Sequence, residues 1–480
     1  MMALGMVCIP LAAAAAVYWA GKRKKLVQIC YWTGILLTTG MAAAVVIMAE
    51  NPLCRLMWQG KWLLGVDDLS AVVLMITVGL FLLVSVHLLW WLPQEMEAYS
   101  GAHHTRMTAL LAPNQLGAFL LLFLGMMVLV SLSRNLGLFW VALEATTLVS
   151  APLIGFHRSA HSLEAMWKYL LICSVGIALA LFGTMLLAVS AQKIQGTAPG
   201  LDLDQLKAVS GLLDPGWFQA AFIFALAGYG TKMGLAPFHT WLPDAHSEAP
   251  GPVSALLSGA LLNCAFLGIL RFWEIAPVEL RGFCSELLIA LGLLSLTVAA
   301  FLILRQRDYK RMLAYSSVEH MGLAAILWGL GASEITLYHM GGHSLVKMML
   351  FLLAGDLLLG CGTRTVSRVK GLLQTMPRHA WLWLCGIFLI CGTPPSPLFV
   401  TEWMLVKSAP MWLGALVLLL LFVIFTGMVW IALPMIGGRG DTVSDRMKRA
   451  EGLWQLPAVI FAAACAYGAW LLWQCNGWVR

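Results

Sequence analysis

Apolar stretches of about 20 residues, the length a helix needs to cross the hydrocarbon of a bilayer, recur fourteen times along this chain of 480 residues. They run roughly 1–20, 26–48, 70–91, 115–132, 136–155, 169–189, 217–237, 253–270, 286–304, 312–330, 335–360, 380–404, 411–434 and 454–473. With 60% of residues hydrophobic and 11% charged, a soluble core of this size is excluded, and the expected class is an all-α polytopic membrane protein. Lys22, Arg23, Lys24 and Lys25 follow the first apolar run instead of preceding it. That run therefore reads as a retained signal-anchor helix.

Placing Lys22 to Lys25 in the cytoplasm leaves Arg55, Lys61, Arg134, Lys193, Lys207, Arg271, Arg281, Lys407 and Arg480 on the opposite side of fourteen alternating spans. Lys232 and Lys347 fall inside spans, and the remaining Lys and Arg flank cytoplasmic ends. By the positive-inside rule both termini face outward, and the net charge of +7 is a topogenic signal, not a nucleic-acid surface. Asp67, Asp68, Glu95 and Glu97 read as solvated boundary charges.

Two spans are interrupted. The seventh meets Pro237 shortly after Lys232, and the twelfth meets Cys391-Gly392-Thr393-Pro394-Pro395-Ser396-Pro397 shortly before Glu402. Proline removes an amide donor and clashes with the preceding turn, so both helices are expected to break at membrane depth. Interrupted helices five spans apart point to two inverted five-helix repeats with an ion path between them. The division this gives is residues 1–113 for helices 1–3, 114–272 for helices 4–8, 282–434 for helices 9–13, and 453–480 for helix 14.

Ionisable side chains in hydrocarbon cost several kcal/mol unless they face a partner or a water-filled cavity. Lys232 and Glu144 are such residues, and His339, His343 and Lys347 follow one another at steps of four, on one helical face. An intramembrane histidine can equally be a satisfied packing residue, and Glu402, close to a span end, can reach the interface. His239, Asp244, His246 and Glu248 also fit a solvated loop, and their spacing matches no zinc pattern. The eleven cysteines contain no C-x-x-C pair, and no Walker A or G-x-G-x-x-G loop is present. No cofactor, metal or redox centre is expected in the chain itself.

The run His239-Thr-Trp-Leu-Pro-Asp-Ala-His-Ser-Glu-Ala-Pro-Gly-Pro-Val-Ser-Ala-Leu-Leu-Ser-Gly259 resembles the signature of the antiporter-like proton-translocating subunits of respiratory complex I, Mrp cation antiporters and group 4 nickel–iron hydrogenases. The run Arg307-Asp-Tyr-Lys-Arg-Met-Leu-Ala-Tyr-Ser-Ser-Val-Glu-His-Met-Gly322 resembles the family's linker into its tenth helix. The resemblance implies that Glu144 and Lys232 form a pair that shifts protons by changing its separation. His339, His343 and Lys347 would be the central relay and Glu402 the exit, with His239, Asp244, His246, Asn263 and His320 in support. Asn263, in Leu261-Leu-Asn-Cys-Ala-Phe266, stands at or near a position where complex I and Mrp members usually carry lysine, and this wording resembles the hydrogenase-4 component F group. The expectation is a bacterial inner-membrane subunit of a hydrogenase-4 or formate-hydrogenlyase type complex. It would work beside other membrane subunits and peripheral hydrogenase and iron–sulfur subunits, and any enzyme name would belong to the complex. A complex I subunit and an Mrp-type Na⁺/H⁺ antiporter subunit are the alternatives.

Overall fold

The structure, a computed structural model, describes residues 2–48, 56–58, 61–100, 110–192, 200–438 and 443–475. Arg55, Arg106, Lys193, Arg439 and Arg480 of the topogenic charges lie outside the described residues. Eleven helices among the described residues are long and apolar enough to cross a membrane, from Met2–Ala20 to Asp445–Gln474. Three further crossings carry the ionisable or broken segments: Pro215–Met233, Tyr309–Gly329, and the pair Pro377–Ile390 and Pro397–Ser408. The fold is thus all-α and polytopic, with about fourteen transmembrane helices. Large apolar side chains stay uncovered, among them Trp19, Leu171 and Val175, or Phe301, Phe422 and Trp430. Exposed hydrocarbon on this scale marks surface that lipid or neighbouring membrane subunits cover.

Both breaks are present, and the first comes earlier than expected. The seventh helix ends at Met233, directly after Lys232, because Gly234 takes the left-handed conformation (φ 85°) that closes a helix. Pro237 follows in a cis peptide, and the chain resumes as Trp241–Glu248. In the twelfth, Pro377–Ile390 stops at Gly392 (φ 65°), and Ser396 caps the new helix with Pro397 in its first turn. The eighth helix runs from Gly251 to Ile275, longer than the apolar run, and is buried throughout, with a π-segment at Leu257–Leu261.

The chain forms two compact units. The first contains Met1–Leu82, Leu111–Gly234 and Ala260–Leu287. Small residues let its helices Ala160–Ser190 and Pro215–Met233 touch at backbone distance. A Cβ on Gly228 would stand 2.6 Å from the Gly176 carbonyl, and one on Gly183 2.7 Å from the Ala225 amide. Asp67 corrects the sequence reading. It is clamped by two arginines: Arg271 reaches it through both guanidinium ends (2.6 and 2.8 Å), and Arg134 does so at 2.5 Å. Burial pushes this carboxyl up, but Arg271 and then Arg134 hold it well below the usual carboxylate range. Arg271 lies inside the eighth helix, not in a loop, and its remaining donors meet Glu274 (2.8 Å) and Ser70 (2.6 Å).

The second unit contains Leu83–Leu110, Leu235–Gly259 and Leu288–Arg480. Here the two quoted motifs lock together. Lys310, buried, donates to the carbonyls of Ala249 and Ser247, satisfying the C-terminal end of Trp241–Glu248. Arg311 pairs with Asp244 (2.7 Å), and Arg364 with Glu248 and Asp308. A second buried network joins four helices: Asp356 accepts from His87 (3.1 Å) and His379 (3.3 Å), and His379 meets Glu451 (2.9 Å) through its other nitrogen. Asp356 is completely buried. Asp356→Ala strands two imidazoles, and removing one partner of a buried ionic network costs about 3–5 kcal/mol. The expected result is a marked fall in the detergent melting temperature, and an unchanged melting curve would refute this role.

Candidate functional site

The first unit builds a cluster of its own on three neighbouring helices. Lys232 stands in the last turn of Pro215–Met233, completely buried, where the partial negative charge of the helix end favours an ammonium. Its Nζ donates to Thr147 Oγ1 (2.6 Å) and to the Tyr169 hydroxyl (2.9 Å). Thr147 in turn donates to Glu144 Oε2 (3.3 Å), and Ser174 donates to Glu144 Oε1 (2.7 Å). Lysine and glutamate therefore communicate through a hydroxyl and not by direct contact, which refines the pairing expected from sequence. Glu144 is half-buried, and Asn263 is buried beside Cys264.

Thr147, Tyr169 and Ser174 escaped the sequence reading. The available signal was spacing: Thr147 is three residues after Glu144, one turn along the same face. Thr147→Val keeps the shape and removes the bridge. With a hydrogen bond to a charged group worth about 1.5–3 kcal/mol, translocation by the assembled complex is expected to slow by about tenfold. An unchanged rate would show the hydroxyl to be incidental.

The second unit carries a separate cluster. His339, His343 and Lys347 form the expected stripe on Ser333–Cys361, all buried. His320, from Tyr309–Gly329, is the centre of the cluster, its ring 5.3 Å from His339 and 5.4 Å from His343. The hydrogen bonds of the neutral ring fix one tautomer. His320 Nε2 faces the Ile390 carbonyl at 3.0 Å and must donate, leaving Nδ1 as the acceptor. His339 Nδ1 shares a hydrogen bond with the Thr401 hydroxyl at 2.8 Å, and that hydroxyl also lies 3.0 Å from the Leu398 carbonyl. His320 Nδ1, His339 Nε2 and both nitrogens of His343 are buried without a hydrogen-bond partner among the described residues. Three imidazoles with free ring nitrogens form a place where a proton can be received.

Lys347 Nζ donates to the Leu313 carbonyl (2.6 Å) and to Ser316 Oγ. Glu402, on Pro397–Ser408, is half-buried and packs against Gly392, where a Cβ would lie 2.9 Å from its Cδ. It lines a cavity of about 250 Å³ with Cys391, Phe399, Trp403, Leu418 and Phe422. Of the supporting residues, His246 is buried and stacked on Phe351 at 4.7 Å, and His239 lies edge-on to Tyr315 at 6.1 Å. Asp244 is turned into its ion pair with Arg311, away from the imidazole cluster's hydrogen bonds.

Comparisons with known proteins bear on the fold and the family. The Hydrogenase-4 component F homolog of Methylacidiphilum infernorum (isolate V4) is 41% identical over 282 residues, covering 58% of this chain and 59% of that protein. The match therefore spans about three fifths of the relative's length. A chain of the membrane-bound sulfane sulfur reductase, an archaeal respiratory membrane complex, superposes with a TM-score of 0.82 at 20% identity, covering 99% of this chain and 95% of that one. A chain of respiratory complex I from Thermus thermophilus gives a TM-score of 0.73 at 21% identity, with coverage of 97% and 98%. These likenesses show the fold. The family described as NADH:quinone oxidoreductase/Mrp antiporter, TM, matches residues 133–429, and the chain, a multi-pass membrane protein, belongs to it.

Proposed function

We propose that this chain is the ion-translocating membrane subunit of a hydrogenase-4 or formate-hydrogenlyase type complex, coupling electron transfer in partner subunits to proton movement. The observation that carries this reading is the pair of buried lysines, Lys232 and Lys347, each held by hydroxyl or carbonyl oxygens and, among the described residues, not neutralised by direct contact with a carboxylate. A lysine so placed exchanges its proton without first breaking a salt bridge. Glu144 sets the charge around Lys232 through Thr147, the cluster of His320, His339 and His343 serves Lys347, and Glu402 is the outlet. The 41% identical relative supports the hydrogenase assignment, as does a neutral Asn263 where other members use lysine.

The division into helices 4–8 and 9–13 as inverted repeats belongs to the same reading, as do the bacterial inner membrane, the outward termini and peripheral hydrogenase and iron–sulfur partners. The test is mass spectrometry of what co-purifies with the tagged protein in mild detergent. Recovery of a nickel–iron hydrogenase large subunit is the expected result. Recovery of NADH-oxidising flavoprotein subunits would transfer the chain to complex I, and recovery of multi-span antiporter subunits alone would make it an Mrp-type component.

A further inference from the structure

The second unit buries a carboxylate to which no role has been given. Glu319 lies on Tyr309–Gly329 beside His320, with an exposure of 1%, and its Oε2 is buried without a hydrogen-bond partner among the described residues. An acid in that position is not a packing residue, because an unsatisfied buried carboxyl costs more than any apolar replacement. Its neighbours carry charge. Glu319 stands three residues after Ser316, the hydroxyl that receives Lys347 Nζ, so serine and glutamate share one helical face. Tyr309–Gly329, which bears Glu319, packs against Ser333–Cys361, which bears Lys347, and against Pro397–Ser408, which bears Glu402. Glu402 likewise has a buried oxygen, Oε1, without a partner among the described residues.

The first unit contains the same assembly of residue types. There a carboxylate and a hydroxyl three residues apart on one helix, Glu144 and Thr147, face the buried Lys232. In the second unit Ser316 and Glu319 have that spacing in the opposite order, and Ser316 receives Lys347. The fifth and tenth helices, which bear the two carboxylates, hold the same place in the two sets of five.

We propose that Glu319 is a proton-transfer group of the second unit, taking the proton that Lys347 releases and delivering it to Glu402. In the first step an N–H bond of the Lys347 ammonium breaks as an O–H bond forms on the Glu319 carboxylate, leaving a neutral amine and a neutral acid. In the second that O–H bond breaks as one forms on the Glu402 carboxylate, and Glu319 is again an anion. The three imidazoles then reprotonate Lys347. The proposal rests on the translocating function above. It adds a carboxylate to the outlet that the stripe of His339, His343 and Lys347 does not supply.

The experiment uses the whole complex, purified and reconstituted in vesicles, with Glu319→Gln, Glu319→Asp, Lys347→Ala and Lys232→Ala compared for proton uptake or release per electron transferred. Glu319→Gln is expected to lower translocation by about a hundredfold or more, positioned proton-transfer groups contributing typically about 10²–10⁴-fold, while Glu319→Asp retains most of it. Turnover-induced infrared difference spectra of the wild type should contain a protonated-carboxyl band that shifts in Glu319→Asp and vanishes in Glu319→Gln. Normal translocation by Glu319→Gln with loss in both lysine variants would overturn the proposal and leave the functional reading intact, whereas normal translocation in all variants would overturn both. If Glu319→Gln does not assemble, a carboxyl band identical in wild type and Glu319→Asp overturns the proposal by itself.

Discussion

Lys232→Ala is expected to abolish proton translocation while the complex still assembles. The side chain is completely buried and makes two hydrogen bonds, to Thr147 and Tyr169, both of which are hydroxyls that can re-pair locally. Tyr169 already contacts Ser150 at 2.6 Å, and Thr147 contacts Glu144. Removing the amine therefore leaves neutral, partly satisfied groups, and the helix itself loses little because alanine is a good helix former. Function has no such substitute: neither hydroxyl can carry a positive charge at physiological pH, and Glu144 is left facing Thr147 and Ser174 alone. The measurement is vesicle acidification during turnover together with recovery of the intact complex. Translocation at the wild-type rate would refute the mechanism, and failure to assemble would show that Lys232 is a structural residue.

The second large effect is on stability. Asp67→Ala should lower the stability of the first unit by about 3–5 kcal/mol, the range for breaking a buried ion pair from one side. The substitution removes the carboxylate that faces both Arg134 and Arg271, and Arg271 is 1% exposed with, among the described residues, only Glu274 and Ser70 left to receive it. The pH dependence has a definite sign. A carboxyl held below its unfolded value of about 3.9 stabilises the fold above that pH, and the contribution is lost as pH falls towards the folded value. The cluster is thus at full strength at neutral pH and weakens only in acid. Thermal unfolding in detergent at neutral pH should show Asp67→Ala well below wild type, and the gap should narrow as the wild type is acidified below about pH 4. A constant gap across that range would mean that Asp67 acts by packing and not by charge.

Much of this molecule is determined by its one-dimensional pattern. Apolar runs of spanning length, separated by charged connections, leave a chain in lipid no option but helices, since every backbone amide must be satisfied within its own segment. The presence of the breaks is legible too, because neither Pro237 nor the run from Gly392 to Pro397 can continue a helical ladder, although the seventh helix already ends at Gly234. Lys232, Glu144, His339, His343 and Lys347 are legible because a charge or an imidazole in hydrocarbon is conspicuous by its cost.

What only the tertiary structure decided is which groups those residues meet. Thr147, Tyr169, Ser174 and Ser316 are ordinary hydroxyls that any membrane helix tolerates, and nothing in a linear pattern tells a hydroxyl that receives a lysine from one bonded to its own backbone. His320 became the centre of the imidazole cluster, Glu319 the unassigned acid beside it, and Asp67 a double clamp instead of a solvated charge, each by contacts across long stretches of sequence. Helix ends were likewise settled locally in three dimensions, Gly234 closing the seventh helix before Pro237 was reached and the eighth continuing past Leu270 to enclose Arg271. Hydropathy is a property of composition along the chain and survives without folding, whereas a hydrogen-bond partner exists only once helices distant in sequence have packed.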